Sequence, residues 1–276
     1  MLKQRIITAL AIVAVVIPAV ALLPIHWLAL FFAATAMIAA WEWSDLASYR
    51  NPWLRGSYVA LHALLMFLVY HFCKLGETPL LENVQSLLGV ACLWWTIALL
   101  WVKGYPGSAP LWSTAPMLGL MGILVVLPAW LAVVYLRSYP QGGLLLLYMV
   151  VVVAGADIGA YFAGRRFGRR KLALQVSPGK SWEGVWGGVA VCALLAVAVH
   201  TVVPERIGLP AVLGIVLSSS LASVLGDLVE SMVKRNRGVK DSGVILPGHG
   251  GLLDRIDGHT AAAPVFALGL ILAGWQ

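Results

Sequence analysis

Nine stretches of mostly apolar residues, each long enough to cross a lipid layer as a helix, constrain this chain more than any motif it carries. They run over residues 6–23, 25–43, 57–73, 84–102, 116–136, 143–163, 184–203, 209–228 and 260–275. A hydrocarbon layer about 30 Å thick takes about 20 such residues per crossing. Hydrophobic residues make up 61% of the chain and charged residues 11%, whereas soluble domains are about 45–50% apolar. The expected fold is an all-α polytopic membrane protein with about nine transmembrane helices.

Basic residues set the orientation, because loops on the cytoplasmic side hold the excess of Lys and Arg. With the N-terminus inside and nine alternating spans, 16 of the 19 Lys and Arg residues fall on the inner side; Lys74, Arg137 and Arg206 fall outside. A wrong span count would scramble that asymmetry, so it supports nine spans and a C-terminus outside. The net charge of +7 is mostly this topological excess. Anionic lipid headgroups are the expected partner and no nucleic acid is. Cys73, Cys92 and Cys192 have no metal-type spacing and read as packing residues. The basic start and the Ala19-Val20-Ala21 triplet raise the question of a cleaved leader; with eight further spans behind it, the first span is expected to be retained.

Residues 1–142 read as scaffold hairpins. Trp41, Trp43, Trp53, Trp94, Trp95, Trp101 and Trp112 lie near predicted span ends, where an indole suits the interface. Residues 143–276 read as the catalytic region, since polar residues gather there in two inner loops, 164–183 and 227–259. Nine of the twelve acids fall on the inner side. An ionisable group within or at the edge of a span costs up to about 2.5–3.5 kcal/mol on insertion scales and usually marks paired or functional groups. Glu42 and Asp45 read as ordinary interfacial charge.

At the end of the eighth span, helical periodicity brings Asp227, Glu230 and Lys234 within about 60° on one face. Two carboxylates so placed suit a hard cation that also takes substrate phosphate; a salt-bridged helix end fits them equally. Lys240-Asp241, the run 247–251 (Pro-Gly-His-Gly-Gly) and Asp254-Arg255-Ile256-Asp257 follow. Glycines next to a helix start resemble an anion cradle, and Asp254 and Asp257 share a helix face. The turn over residues 177–184, Ser-Pro-Gly-Lys-Ser-Trp-Glu-Gly, is not a P-loop, because Leu174 stands where the first glycine is required. Lys180, Ser177 and Ser181 in it suit phosphate binding. The basic run Arg165 to Lys171 reads as a topology anchor, and Asp157, deep in the sixth span, as a metal, base or network group.

The order Ser231, Lys234, Arg235, Lys240, Asp241, Pro247, Gly248, His249, Gly250, Gly251, Asp254, Arg255 and Asp257 resembles the signature of the phosphatidate cytidylyltransferase family. The preceding Gly226, Asp227 and Glu230, the 177–184 turn and the Asp157 segment are also similar; Ser181 stands where threonine is common. The resemblance is clear over 157–264. It implies CTP and phosphatidic acid as substrates, CDP-diacylglycerol and pyrophosphate as products, and Mg²⁺ as metal; a second cation such as K⁺, a homodimer and the cell's inner membrane are expected with it. Asp227 and Asp254 would be the first metal ligands, with Glu230, Asp241 and Asp257 around them. Lys180, Lys234, Arg235, Lys240 and Arg255 would clamp phosphates, with Ser177, Ser181, Glu183 and Asp157 on the substrate side. His249 would either donate to a phosphate or lock its loop. A transporter predicts charge at span centres and an inverted repeat, neither visible here. A CDP-alcohol phosphotransferase would need its D-G-x-x-A-R motif, which is absent.

Overall fold

The computed structural model describes residues 2–202, 207–246, 248 and 250–275. Ten helices and one hairpin follow in chain order: α1 (Leu2–Leu22), α2 (Ile25–Leu46), α3 (Pro52–Phe72), α4 (Leu81–Gly104), the short α5 (Ala109–Trp112), α6 (Ala115–Arg137), α7 (Gly142–Phe167), β1 (Lys171–Ala173), β2 (Ser177–Ser181), α8 (Trp182–Val202), α9 (Leu209–Arg237) and α10 (Leu253–Leu272). Every apolar window of the sequence lies on one of the nine long helices. Among the described residues seven of these, α2, α3, α4, α6, α7, α8 and α9, are long and apolar enough to cross a membrane. The apolar part of α1 is shorter, Leu10–Leu22, and α10 opens on a charged turn with Asp254, Arg255 and Asp257.

Lipid offers no hydrophobic drive for helix association, so close contact between small residues has to supply packing. A Cβ on Gly188 of α8 would stand 2.6 Å from the Ala156 carbonyl of α7, and one on Gly226 of α9 would strike the Asp257 carbonyl of α10. The second contact lies inside the charged cluster. Gly226→Ala is therefore expected to push α9 off α10 and lower turnover at least tenfold while the protein still extracts as a folded species; unchanged turnover in a detergent assay would contradict this. One buried cluster runs from Val20 to Leu270 and takes in Trp43, Trp112, Trp130, Met232 and Phe266.

The interfacial placing of the tryptophans needs correction. Trp43, Trp94, Trp95 and Trp112 are buried rather than interfacial. The Trp43 Nε1 donates to the Leu118 carbonyl at 2.7 Å and the Trp112 Nε1 to the Ser108 Oγ at 3.2 Å, so helix packing supplies these two with the polar partner that an interface otherwise would, while the Nε1 groups of Trp94 and Trp95 are buried without a hydrogen bond. Trp53 does stand exposed, and the Arg55 guanidinium lies 4.0 Å over the Trp41 ring. Within the 164–183 segment β1 and β2 pair antiparallel, Lys171 with Ser181 and Ala173 with Ser177. Val176 at its turn is buried in the core, and that anchor gives the short hairpin the packing it needs to persist.

Candidate active site

Charged side chains meet where the ends of α7, α9 and α10 and the hairpin come together. α9 runs on past its apolar part to Arg237 and stops at Gly238, whose φ of 73° is left-handed. The amides of Gly238 and Val239 then donate to the carbonyls of Arg235 and Lys234, a helix stop that glycine makes cheap. The end of the apolar part and the turns beyond it carry Asp227, Glu230, Ser231 and Lys234 as continuous helix, with the spacing expected of them.

Two lysines hold the carboxylates. The Lys180 Nζ of β2 lies 2.5 Å from the Asp227 Oδ2, tying the hairpin to α9, and the Ser231 Oγ donates to the Asp227 Oδ1 at 3.1 Å. The Lys234 Nζ lies 2.6 Å from the Asp254 Oδ1 and 3.1 Å from the Glu230 Oε1, joining α9 to α10. Glu230 is only 2% exposed, and neither of its oxygens has a hydrogen bond of good geometry; its contact with Lys234 is one of charge. Asp157 lies within the fields of Lys180 and Asp227, and Asp257 within those of Asp227, Lys234 and Lys180. Five carboxylates thus share two ammonium groups.

That surplus of acid bears on metal binding. No three candidate ligand side chains converge as a metal site among the described residues; as placed, each of Asp227, Glu230 and Asp254 has an ammonium beside it. The donor set nevertheless suits a hard cation, being all carboxylate oxygen, and Glu230 brings two buried oxygens without hydrogen bonds.

A cleft of about 360 Å³ opens beside the cluster, lined by Asp157, Tyr161, Arg165, Lys180 and Ser181 together with the apolar Val185 and Val224. Asp157 lines this cleft from within α7, beside the place where Gly164 and Gly184 bring α7 and α8 close enough that a Cβ on either would stand 3.5 Å from the other's Cα. A larger cavity of about 440 Å³ lies among α2, α3 and α6. Its walls are apolar apart from His26, Tyr70 and His71, and none of the predicted site residues reaches it.

Other predicted residues have mainly backbone partners. Glu183 accepts from the amides of Arg169 and Arg170 at 3.0–3.3 Å, closing the base of the hairpin. The Ser181 Oγ accepts from the Gly184 amide at 3.2 Å and so caps α8. Ser177 starts β2. The Arg235 Nε donates to the Val176 carbonyl at 3.3 Å; Arg235, Lys240, Asp241 and Arg255 are all exposed. His249 and Pro247 lie outside the described residues.

The glycine loop differs most from expectation. Gly250, with a φ of 85°, fills a left-handed position that favours glycine, but the amides that follow are not open to an anion. The Gly251 amide donates to the Asp254 Oδ2 at 2.8 Å, and the Leu252 and Leu253 amides donate to Glu42 at 2.9 and 2.8 Å. The chain's own carboxylates fill the cradle, since a helix start favours whichever negative charge is nearest. Glu42 also departs from the interfacial role expected of it. It is 3% exposed and buried against the start of α10, not an interfacial charge. Its only local signal is a lone acid between Trp41 and Trp43 at the end of an apolar stretch.

The profile of the cytidylyltransferase family matches residues 3–272. A phosphatidate cytidylyltransferase of Pseudomonas aeruginosa is 46% identical over 278 residues, covering 100% of this chain and 99% of its own length. One of Haemophilus influenzae is 41% identical over 282 residues, covering 97% and 98%. One of Bacillus subtilis is 45% identical over 130 residues, about half of each chain. With a match that runs nearly from end to end, and the acid cluster lying inside it, the chain belongs to the cytidylyltransferase family.

Proposed function

We propose that this protein transfers CMP from CTP to phosphatidic acid, releasing pyrophosphate and CDP-diacylglycerol for phospholipid synthesis. The observation that carries the reading is the cluster of five carboxylates and two lysines beside a cleft lined by both charged and apolar side chains, in a chain aligned throughout with relatives bearing that name. A phosphate monoester with a second pKa near 6 is largely dianionic at neutral pH, so no general base is needed. Its oxygen attacks the α-phosphorus in line as the bond to the β-phosphate oxygen breaks, and pyrophosphate leaves with that electron pair. Catalysis then rests on positioning and on neutralising charge.

Mg²⁺ fits the carboxylate set, with Asp227, Glu230 and Asp254 as the residues that would hold it and Asp257 and Asp241 near them; when bound it would offset charge on the triphosphate. Lys180 and Lys234 are already fixed at the cluster by their carboxylate partners. The basic asymmetry supports a cytoplasmic face of an inner membrane for this end. A cysteine introduced at Asn236 that reacts with an impermeant reagent added to intact cells would contradict that placement.

The deciding assay mixes purified protein with labelled CTP, Mg²⁺ and phosphatidic acid in detergent. Lipid-extractable label should appear only when phosphatidic acid is present, and its absence would defeat the reading. Lys180 lines the cleft while Arg235 stands exposed at the end of α9, so the two cations are assigned to different substrates. Lys180→Ala should raise the KM for CTP roughly tenfold to a hundredfold, and Arg235→Ala that for phosphatidic acid, since one charge-assisted contact contributes about 1.5–3 kcal/mol. Equal weakening of both substrates in both variants would point to a single shared phosphate pocket.

A further inference from the structure

Helix α10 starts without a cap of its own. Its N-cap position is Leu252, which has no side-chain acceptor, yet the first amides of a helix need one. Glu42, some 210 residues earlier in the chain, supplies it. The Glu42 Oε1 accepts from the Leu252 amide at 2.9 Å, and the Oε2 from the Leu253 amide at 2.8 Å and from the Ser242 Oγ at 3.2 Å. The loop fits closely around this carboxylate, because a Cβ at either Gly243 or Gly251 would come within 2.6 Å of a Glu42 oxygen.

The consequence reaches the charged cluster in one further step. Ser242, held by Glu42 through its hydroxyl, donates its amide to the Asp254 Oδ2 at 3.0 Å, and Gly251 donates to the same oxygen. That leaves the Asp254 Oδ1 directed at Lys234. Glu42 is itself fixed, since the neighbouring Trp43 is buried and hydrogen-bonded to the Leu118 carbonyl of α6. The N-terminal helices therefore set the position of Asp254 and, through it, of Lys234.

We propose that Glu42 is a positioning residue for cytidylyl transfer, which holds the start of α10 and the 242–252 loop so that Asp254 and Lys234 keep their alignment with Asp227 and Asp257. This rests on the reaction proposed above; product formation by the wild-type protein tests that reaction, and the ratio of variant to wild type tests Glu42. Glu42→Gln keeps the size but turns an NH₂ group toward an amide donor, so one of the bonds to Leu252, Leu253 or Ser242 fails. Misplacing groups by a fraction of an ångström to an ångström acts on the chemical step rather than on binding. For folded, detergent-purified Glu42→Gln, kcat should fall by roughly thirtyfold or more, with KM for CTP and for phosphatidic acid within about threefold. Hydrogen exchange at the amides of residues 251–253 should quicken at least tenfold. Ser242→Ala should show the same changes to a smaller degree and add little when combined with Glu42→Gln, as partners in one network do. Asp45→Asn, removing a charge from the same end of α2, should leave kcat within twofold.

A Glu42→Gln protein with kcat within threefold of wild type would overturn the proposal, as would a loss that tracks only the folded fraction. Independent, multiplying losses for Glu42→Gln and Ser242→Ala would also overturn it. Should Glu42→Gln fail to fold, Ser242→Ala decides alone, and unchanged kcat with unchanged exchange at 251–253 counts against the proposal.

Discussion

Asp227→Asn is expected to lower turnover by about a thousandfold or more while the protein folds normally. Asp227 stands where three elements meet, being paired with Lys180 of the hairpin, bonded to Ser231 on its own helix, and within the field of Asp257 on α10. Its side chain is about one-third exposed, so the neutral amide leaves no uncompensated buried charge and stability should change little. The loss falls instead on charge that the reaction needs. With the proposed Mg²⁺ bound, Asp227 would be one of its charged oxygen ligands, a role the neutral amide fills poorly; electrostatic stabilisation of this kind is usually the largest single contribution to the barrier. The measurement is kcat in the labelled-CTP assay, taken over a series of Mg²⁺ concentrations. Full activity with unchanged Mg²⁺ dependence would remove Asp227 from the metal set.

Lys234→Met is expected to act on stability and activity together. Lys234 is the ammonium between Glu230 and Asp254, both of them nearly inaccessible. Methionine matches the stem in length but leaves two buried acids facing each other, and removal of one partner from a buried pair costs about 3–5 kcal/mol. The melting temperature in detergent should drop by several degrees, and turnover should fall below detection. Adding Glu230→Gln to Lys234→Met should restore part of the stability, because one of the opposed charges is gone, and none of the activity. Recovery of both would mean that Lys234 serves only to neutralise Glu230 and that the pair is structural.

Much of the architecture was legible because hydropathy and helical periodicity are local properties. Each apolar window lies on one long helix, and Asp227, Glu230 and Lys234 share a face because only seven intervening backbone steps of regular helix separate the first from the last. The site's partnerships were another matter. Lys180 meets Asp227 and Glu42 meets the start of α10 through tertiary packing, in which small residues such as Gly188 and Gly226 let α8 approach α7 and α9 approach α10, and no window of sequence reports which faces will touch. The same packing decided which acids bond to backbone and which remain near the cleft. Glu42 and Asp254 took the amides around the start of α10, while Asp157 stayed at the cleft wall. The sequence by itself determined a membrane-spanning helical bundle with an acid-rich end; the tertiary structure alone decided how those acids are divided, since a buried carboxylate must find its donors from whatever the packed helices bring within about 3 Å.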